Sequence, residues 1–310
     1  MQLLTASRMT SLLTCPRQHY WRYEVGLQAT ADGAALRFGS AWHRAMEARW
    51  RGAEFDVALA AAIPAGCDLD ETQAATLSGL LAGYWAMHPF GDCNVRELHP
   101  EIEFCLPLAG SRTFQCAGKI DGLGVLHDGR LVLIEHKTTS DDLAPDSDYW
   151  LRLRANGQIM QYVLAARALG WQIEIILYDV TRKPAIRPKQ GETPEAFGER
   201  LAADTQARPA FYFARREVPV LDQDLEEFQV QRLELARQIL SLRRAEKRLR
   251  SPAQAWPRNV NGLICRGCPF SGFCLQNVTV NPAQPPAGFR CGPVHGELTA
   301  AQPERKELES

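Results

Sequence analysis

Leu123-Gly124-Val125-Leu126-His127-Asp128-Gly129-Arg130-Leu131-Val132-Leu133-Ile134-Glu135-His136-Lys137 reads as two apolar runs separated by a short polar break. The Asp128-Gly129 pair in that break is a strong hairpin signal, because the tight turns that join antiparallel strands need a positive φ that glycine adopts without steric penalty. Upstream, residues 101–106 and 114–118 alternate polar and apolar side chains, which predicts further strands. Downstream, residues 158–169 form a helical stretch closed by Gly170, and residues 172–180 are a second β-type run. Strands, a helix and a returning strand make a mixed core. The expected fold class is therefore α/β, with a mixed central β-sheet flanked by helices.

Further from the hairpin, helices are expected over residues 7–13, with Ser7 as cap, over 40–50, 71–87 and 193–205, and a strand over 211–218. Residues 221–250 place Leu225, Phe228, Leu233, Leu235, Ile239 and Leu242 at mostly helical spacing, and Pro252 stops that helix. Past Val278 the chain is rich in Pro, Gly and charge. The expected organisation is a helical region over 1–95, a core over 96–220, a long helix with a cysteine array over 221–278 and a flexible tail over 279–310. No internal repeat is visible.

With 310 residues, 45% of them hydrophobic, and no apolar run near 18 residues, the chain reads as a soluble globular protein without a membrane span. The first ten residues carry no secretory pattern, so a cytoplasmic location is expected. Nine cysteines, an odd number, fit free thiols and metal ligands better than a disulfide framework. Cys67, Cys93, Cys105 and Cys116 read as small buried residues. A formal net charge of −1 gives no sign of nucleic-acid binding. Local basic groups do occur, at Arg152 and Arg154 and at Arg243, Arg244, Lys247, Arg248 and Arg250.

Glu135 and Lys137 are two apart on a predicted strand and so share a face. The pairing hairpin can bring Asp121, in Gly118-Lys119-Ile120-Asp121-Gly122, beside them. Two carboxylates at one point repel unless a cation lies between them, and oxygen ligands of this kind suit Mg²⁺ or Mn²⁺. Lys137 would then orient a nucleophile or stabilise developing phosphate charge. Separately, Cys265, Cys268 and Cys274 stand in a C-x2-C-x5-C array, with Cys15 about 250 residues upstream. Four such thiols can hold zinc or an iron-sulphur cluster. The run Arg17 to Tyr23 interleaves aromatic and basic groups. It reads either as a surface that stacks bases and grips phosphates or as packing for the N-terminal helix over that centre.

Other residues complete an ordered set. His43 lies in Gly39-Ser40-Ala41-Trp42-His43 before the strands, and Gln158-Ile159-Met160-Gln161-Tyr162 follows them, with Gln158 and Tyr162 on one helical face. A histidine, an Asp, Glu-x-Lys and Q-x-x-x-Y in this order resemble the PD-(D/E)XK nuclease superfamily, in particular its RecB-like branch. One Cys before the core and three after it are similar to the iron-sulphur members of that branch, the AddB-type nuclease domains and the CRISPR-associated exonucleases. The resemblance covers roughly residues 7–274.

That resemblance implies a restriction-endonuclease-like core whose N- and C-terminal helical segments are joined by a 4Fe-4S cluster on Cys15, Cys265, Cys268 and Cys274, with structural Zn²⁺ as the alternative. It implies that His43, Asp121, Glu135 and the backbone carbonyl of His136 ligate Mg²⁺ or Mn²⁺, and that Lys137 is the catalytic lysine. Gln158 and Tyr162 would position DNA. The His136 side chain departs from the small or apolar residue expected there, and by strand alternation it should face away from the metal. The function implied is a metal-dependent deoxyribonuclease, an exonuclease on single-stranded DNA or duplex ends in recombination, repair, phage or CRISPR-associated DNA processing. Alternatives are a non-catalytic DNA-binding subunit of a larger complex, or an endonuclease of the same fold. The sequence has no Gly-rich phosphate loop ending in Gly-Lys-Ser/Thr, so unwinding is expected from a helicase or other DNA-processing partner.

Overall fold

A computed structural model describes residues 1–298 apart from 32, 65–66, 90–93, 277, 279 and 297. Cys93 and residues 299–310 of the expected tail lie outside the described residues. The strands are β1 (Gln2–Leu4), β2 (Leu27–Ala29), β3 (Val95–Pro107), β4 (Phe114–Leu126), β5 (Leu131–Thr139), β6 (Ile175–Arg182), β7 (Phe213–Pro219) and β8 (Phe289–Cys291). The helices are α1 (Ala6–Thr14), α2 (Pro16–His19), α3 (Ala34–Trp50), α4 (Phe55–Ala62), α5 (Glu71–Met87), α6 (Asp148–Arg154) and α7 (Gly157–Ala168). They continue with α8 (Pro194–Ala207), α9 (Pro209–Tyr212), α10 (Asp222–Leu249), α11 (Pro252–Ala255), α12 (Gly262–Gly267) and α13 (Ser271–Leu275), and a π-helical turn over Tyr20–Glu24 follows α2.

Six strands form a mixed sheet in the order β1-β4-β5-β6-β7, with β3 along the other edge of β4. β4 is long enough to pair with β3 throughout and to divide its second edge between β1, at Phe114 to Cys116, and β5, at Gly122 to Val125. The predicted hairpin forms, with Gly129 at φ +92°. β5 and β6 are parallel over eight pairs from Val132↔Ile175 to Thr139↔Arg182, and α6 and α7 make the crossover between them. Fold class is as expected, a mixed sheet flanked by helices.

One core joins α1, α6, α7 and α10 to the sheet through Leu12, Trp150, Ile159, Val163 and Ile239 against Ile120, Leu133 and Tyr178. A second joins α3, α5 and α8 through Trp42, Leu77, Tyr84 and Leu201. Gly118 fits where α7 crosses β4, since a Cβ there would lie 2.9 Å from Tyr162 and 3.0 Å from Phe104. In the same contact the buried Gln161 amide donates to Leu4 O at 3.2 Å and Ala117 O at 3.1 Å. Helix α1 is capped by Thr5, whose hydroxyl accepts from the Arg8 N–H, two residues earlier than the Ser7 cap expected.

The expectation of a loose tail from residue 279 does not hold for β8. It pairs antiparallel with β2 over Phe289↔Ala29 to Cys291↔Leu27, and the Phe289 ring lies 5.4 Å from Phe273 and 5.8 Å from Phe270. Backbone pairing and aromatic packing hold that segment against β2 and α13. The basic residues are also partly committed to structure: Arg152 pairs with Asp141, Arg154 with Asp224 and Arg243 with Glu24.

Candidate metal-dependent active site

Strand register puts three carboxylates in a row. Asp121 lies one residue beyond the last β4–β5 pair, Gly122↔Ile134, and so across from Glu135. On its other side it falls between Pro100↔Gly122 and Ile102↔Ile120, across from Glu101 on β3. Like charges directly opposite on neighbouring strands destabilise a sheet. The sheet stops pairing β4 with β5 at this point, and α3 and α7 approach the opening.

From α3, His43 Nδ1 comes to 3.3 Å from Asp121 Oδ1. The other Asp121 oxygen accepts the His136 backbone N–H at 2.8 Å. Glu135 is fully buried. Lys137 Nζ lies 2.5 Å from Glu135 Oε1 and donates to Gln158 Oε1 at 3.0 Å, while the Gln158 amide donates to the Tyr162 hydroxyl at 3.1 Å. Helix α7 therefore holds the lysine's second partner. His43, Asp121, Glu135, Lys137, Gln158 and Tyr162, far apart in sequence, are all brought to one site.

Charge states follow from this packing. Burial and the neighbouring Asp121 push the Glu135 carboxyl up to about 7, against the pull of Lys137. Burial also works against charge on Asp121, but His43 and the His136 N–H outweigh it and hold that carboxyl below the usual range. Burial opposes charge on His43 as well, and Asp121 with Glu135 outweighs it and raises the imidazole.

The sequence reading missed Glu101. Among the described residues, His43, Glu101 and Asp121 are the group whose ligand atoms come within 4.8 Å of one another. Glu101 has φ +58°, unusual for a non-glycine residue, and this register is not visible in the residues alone. Together with Glu135 Oε2, buried without a hydrogen-bond donor among the described residues, this one-histidine, three-carboxylate set fits a hard divalent cation.

The His136 side chain points to the opposite face, where alternation sends it. Its Nε2 accepts from Trp50 Nε1 at 2.8 Å and its Nδ1 lies 3.3 Å from Asp179 Oδ2. Asp179 is also bound by Arg215, 3.3 Å away, and by the Tyr84 hydroxyl. Against the cost of burial, Arg215, His136 and Tyr84 keep the Asp179 carboxyl far below the usual range.

Separately, Cys15, Cys265, Cys268 and Cys274 line one cavity with Gln18, Trp21, Asn259, Ile264 and Phe270. The Asn259 N–H approaches Cys15 Sγ at 3.4 Å. Burial and the surrounding thiols raise the Cys268 thiol. Trp21 packs edge-on against Phe273 at 5.4 Å and Tyr20 lies 5.6 Å from Trp256, so of the two readings of this aromatic run, packing describes these two residues. Cys291 is exposed on β8, apart from that cavity's lining.

Compared with known proteins, residues 3–275 match the family model described as PD-(D/E)XK nuclease superfamily. No curated protein matches the chain. A solved structure described as "Crystal structure of SSO0001" is similar at a TM-score of 0.35 and 14% identity, over 90% of this chain and 88% of that one. Among the described residues no helix is long and apolar enough to cross a membrane.

Proposed function

Because the chain belongs to the PD-(D/E)XK nuclease superfamily, and so to metal-dependent nucleases of DNA, we propose that it is an exonuclease of the RecB-like, iron-sulphur type acting on single strands or DNA ends. The observation that carries the reading is Lys137, clamped between Glu135 and Gln158 beside Asp121 and His43. His43, Asp121, Glu135 and the His136 carbonyl are the proposed ligands of Mg²⁺ or Mn²⁺. When bound, such an ion polarises the phosphodiester and makes water more acidic. Lys137 orients the attacking water and offsets the phosphate charge that develops as the bond breaks. Gln158, fixed by Tyr162, keeps the ammonium aimed, and the His136 N–H keeps Asp121 turned to the site. A helicase or other DNA-processing protein supplies unwinding.

The test compares wild type and Lys137→Ala on end-labelled linear single strands, circular single strands, duplex DNA and RNA, with Mg²⁺ or Mn²⁺. Wild type should degrade linear DNA and spare circles, and the variant should lose on the order of 10²-fold or more, the scale of a lost acid–base or electrostatic group. Equal activity of the variant would remove Lys137 from the chemistry. Cleavage of circles would make the protein an endonuclease.

The four thiols support a 4Fe-4S cluster over zinc. Although they share one cavity, they are not among the ligand groups that converge within 4.8 Å, whereas sulphurs of a tetrahedral zinc site with Zn–S about 2.3 Å stand about 3.8 Å apart. Helix α12, which carries Cys265, has no buried residue and leaves Leu263 79% exposed. With no buried side chain of its own, that segment depends on what the Cys265 thiol holds.

A further inference from the structure

We propose that Glu101 is an additional ligand of the divalent centre, with Lys119 as the counter-ion that holds its carboxylate when the metal is absent. The inference rests on the metal-centre reading above and extends it to a residue outside the superfamily motif quoted for this chain. Glu101 lies directly across β3–β4 from Asp121, where two carboxylates repel each other. It is nevertheless turned inward. Its side chain is only 10% exposed, and one oxygen comes within 4.8 Å of ligand atoms on both His43 and Asp121.

Two further observations point to a cation-binding role for this carboxylate. The adjacent Glu135 Oε2 is fully buried and lacks a hydrogen-bond donor among the described residues. Lys119, whose register partner on β3 is Glu103, reaches along the diagonal to pair with Glu101. Lys119 is 41% exposed, so its ammonium can swing into water when a divalent ion takes Glu101. The backbone at φ +58° is a conformation that a non-glycine residue rarely adopts, and it aims Glu101 at the site. An ordinary surface ion pair needs no such conformation. His43, 36% exposed, leaves an entry path for the ion.

The two substitutions pull in opposite directions. Glu101→Gln removes the ligand, so Mn²⁺ affinity, measured by calorimetry and by the paramagnetic resonance of free Mn²⁺, should fall on the order of 10- to 100-fold. The metal-free melting temperature should stay level or rise. Lys119→Met removes the competitor and should tighten Mn²⁺ binding. If the pair were merely structural, both variants would lower the metal-free melting temperature and leave Mn²⁺ affinity unchanged, and that result overturns the proposal. Asp121→Asn is the control: if Asp121→Asn lowers affinity and Glu101→Gln does not, the inference about Glu101 fails alone. If Asp121→Asn also binds Mn²⁺ like wild type, the metal centre itself is misplaced.

Discussion

At the residue scale, Glu135 decides how the site responds to pH. Its folded value of about 7 lies above its ordinary 4.5. The folded state therefore favours the protonated carboxyl. That stability is fully present below about pH 4.5 and is lost as pH rises through 7, leaving the metal-free protein with a buried anion that costs up to about 3 kcal/mol. His43 acts in the same direction, because its raised imidazole also loses stability as it deprotonates. Chemical denaturation of metal-free protein should thus find Glu135→Gln close to wild type at pH 5 and more stable than wild type at pH 8. A difference that does not change with pH would show that Glu135 is not held neutral. Adding Mn²⁺ should reverse the order at pH 8, since the ion needs the ionised ligand.

At the scale of elements, the site depends on how β5 is gripped from both faces. Lys137 and Glu135 face α7, while His136 faces α3 and β6, where Trp50 and Asp179 bind its ring. Because α3 also carries His43, the Trp50–His136 bond sets one metal-site helix against the strand that bears Glu135. Asp179 is the keystone of that face, only 2% exposed with Arg215, His136 and Tyr84 around it. Its depressed carboxyl stabilises the fold at neutral pH and ceases to as pH falls through its folded value. Asp179→Asn leaves the largely buried Arg215 without its counter-charge, which should cost about 3–5 kcal/mol. Urea unfolding at pH 7 measures it, and a loss under about 1 kcal/mol would mean that the Arg215–Asp179 pair carries no stability.

Much of this level could be read from residues. The Asp128-Gly129 turn and the alternation about Glu135-His136-Lys137 place the two faces of β5 correctly, and α10 follows its apolar spacing to within a residue at each end. What escaped depends on pairing between distant segments. Asp179 becomes the partner of His136 only through the parallel β5–β6 register, and Glu101 reaches the site through a positive φ that a Pro-Glu-Ile string does not advertise. Strand β1 and the β2–β8 ribbon are three residues each, too short to leave a period.

At the scale of the whole molecule, the chain ends are tied together at several points, and the cysteine cavity is one of them. Arg17 donates to Trp256 O at 2.8 Å and Ala253 O at 2.7 Å. Glu24 joins Arg8 to Arg243, and β2 pairs with β8. These contacts secure α1, α2 and α11, but none of them reaches α12, which has no buried side chain. A cluster bridging Cys15 to Cys265 closes a loop of about 250 residues, which in a chain-entropy treatment removes about 5 kcal/mol of unfolded-state freedom. The other ties remain when the cluster is lost, and α13 keeps Phe273 packed against Trp21 and Phe289, so the ends should stay docked and α12 alone should loosen. Anaerobically purified wild type should then be brown with about four irons per chain. Cys268→Ala should lose the iron, melt at lower temperature and be cut by protease first between residues 258 and 268, and Cys105→Ala should keep its iron. A colourless wild type with one zinc per chain would replace the cluster by a mononuclear site, and an iron-free Cys268→Ala that resisted protease like wild type would show that the thiols hold a cofactor without holding the fold.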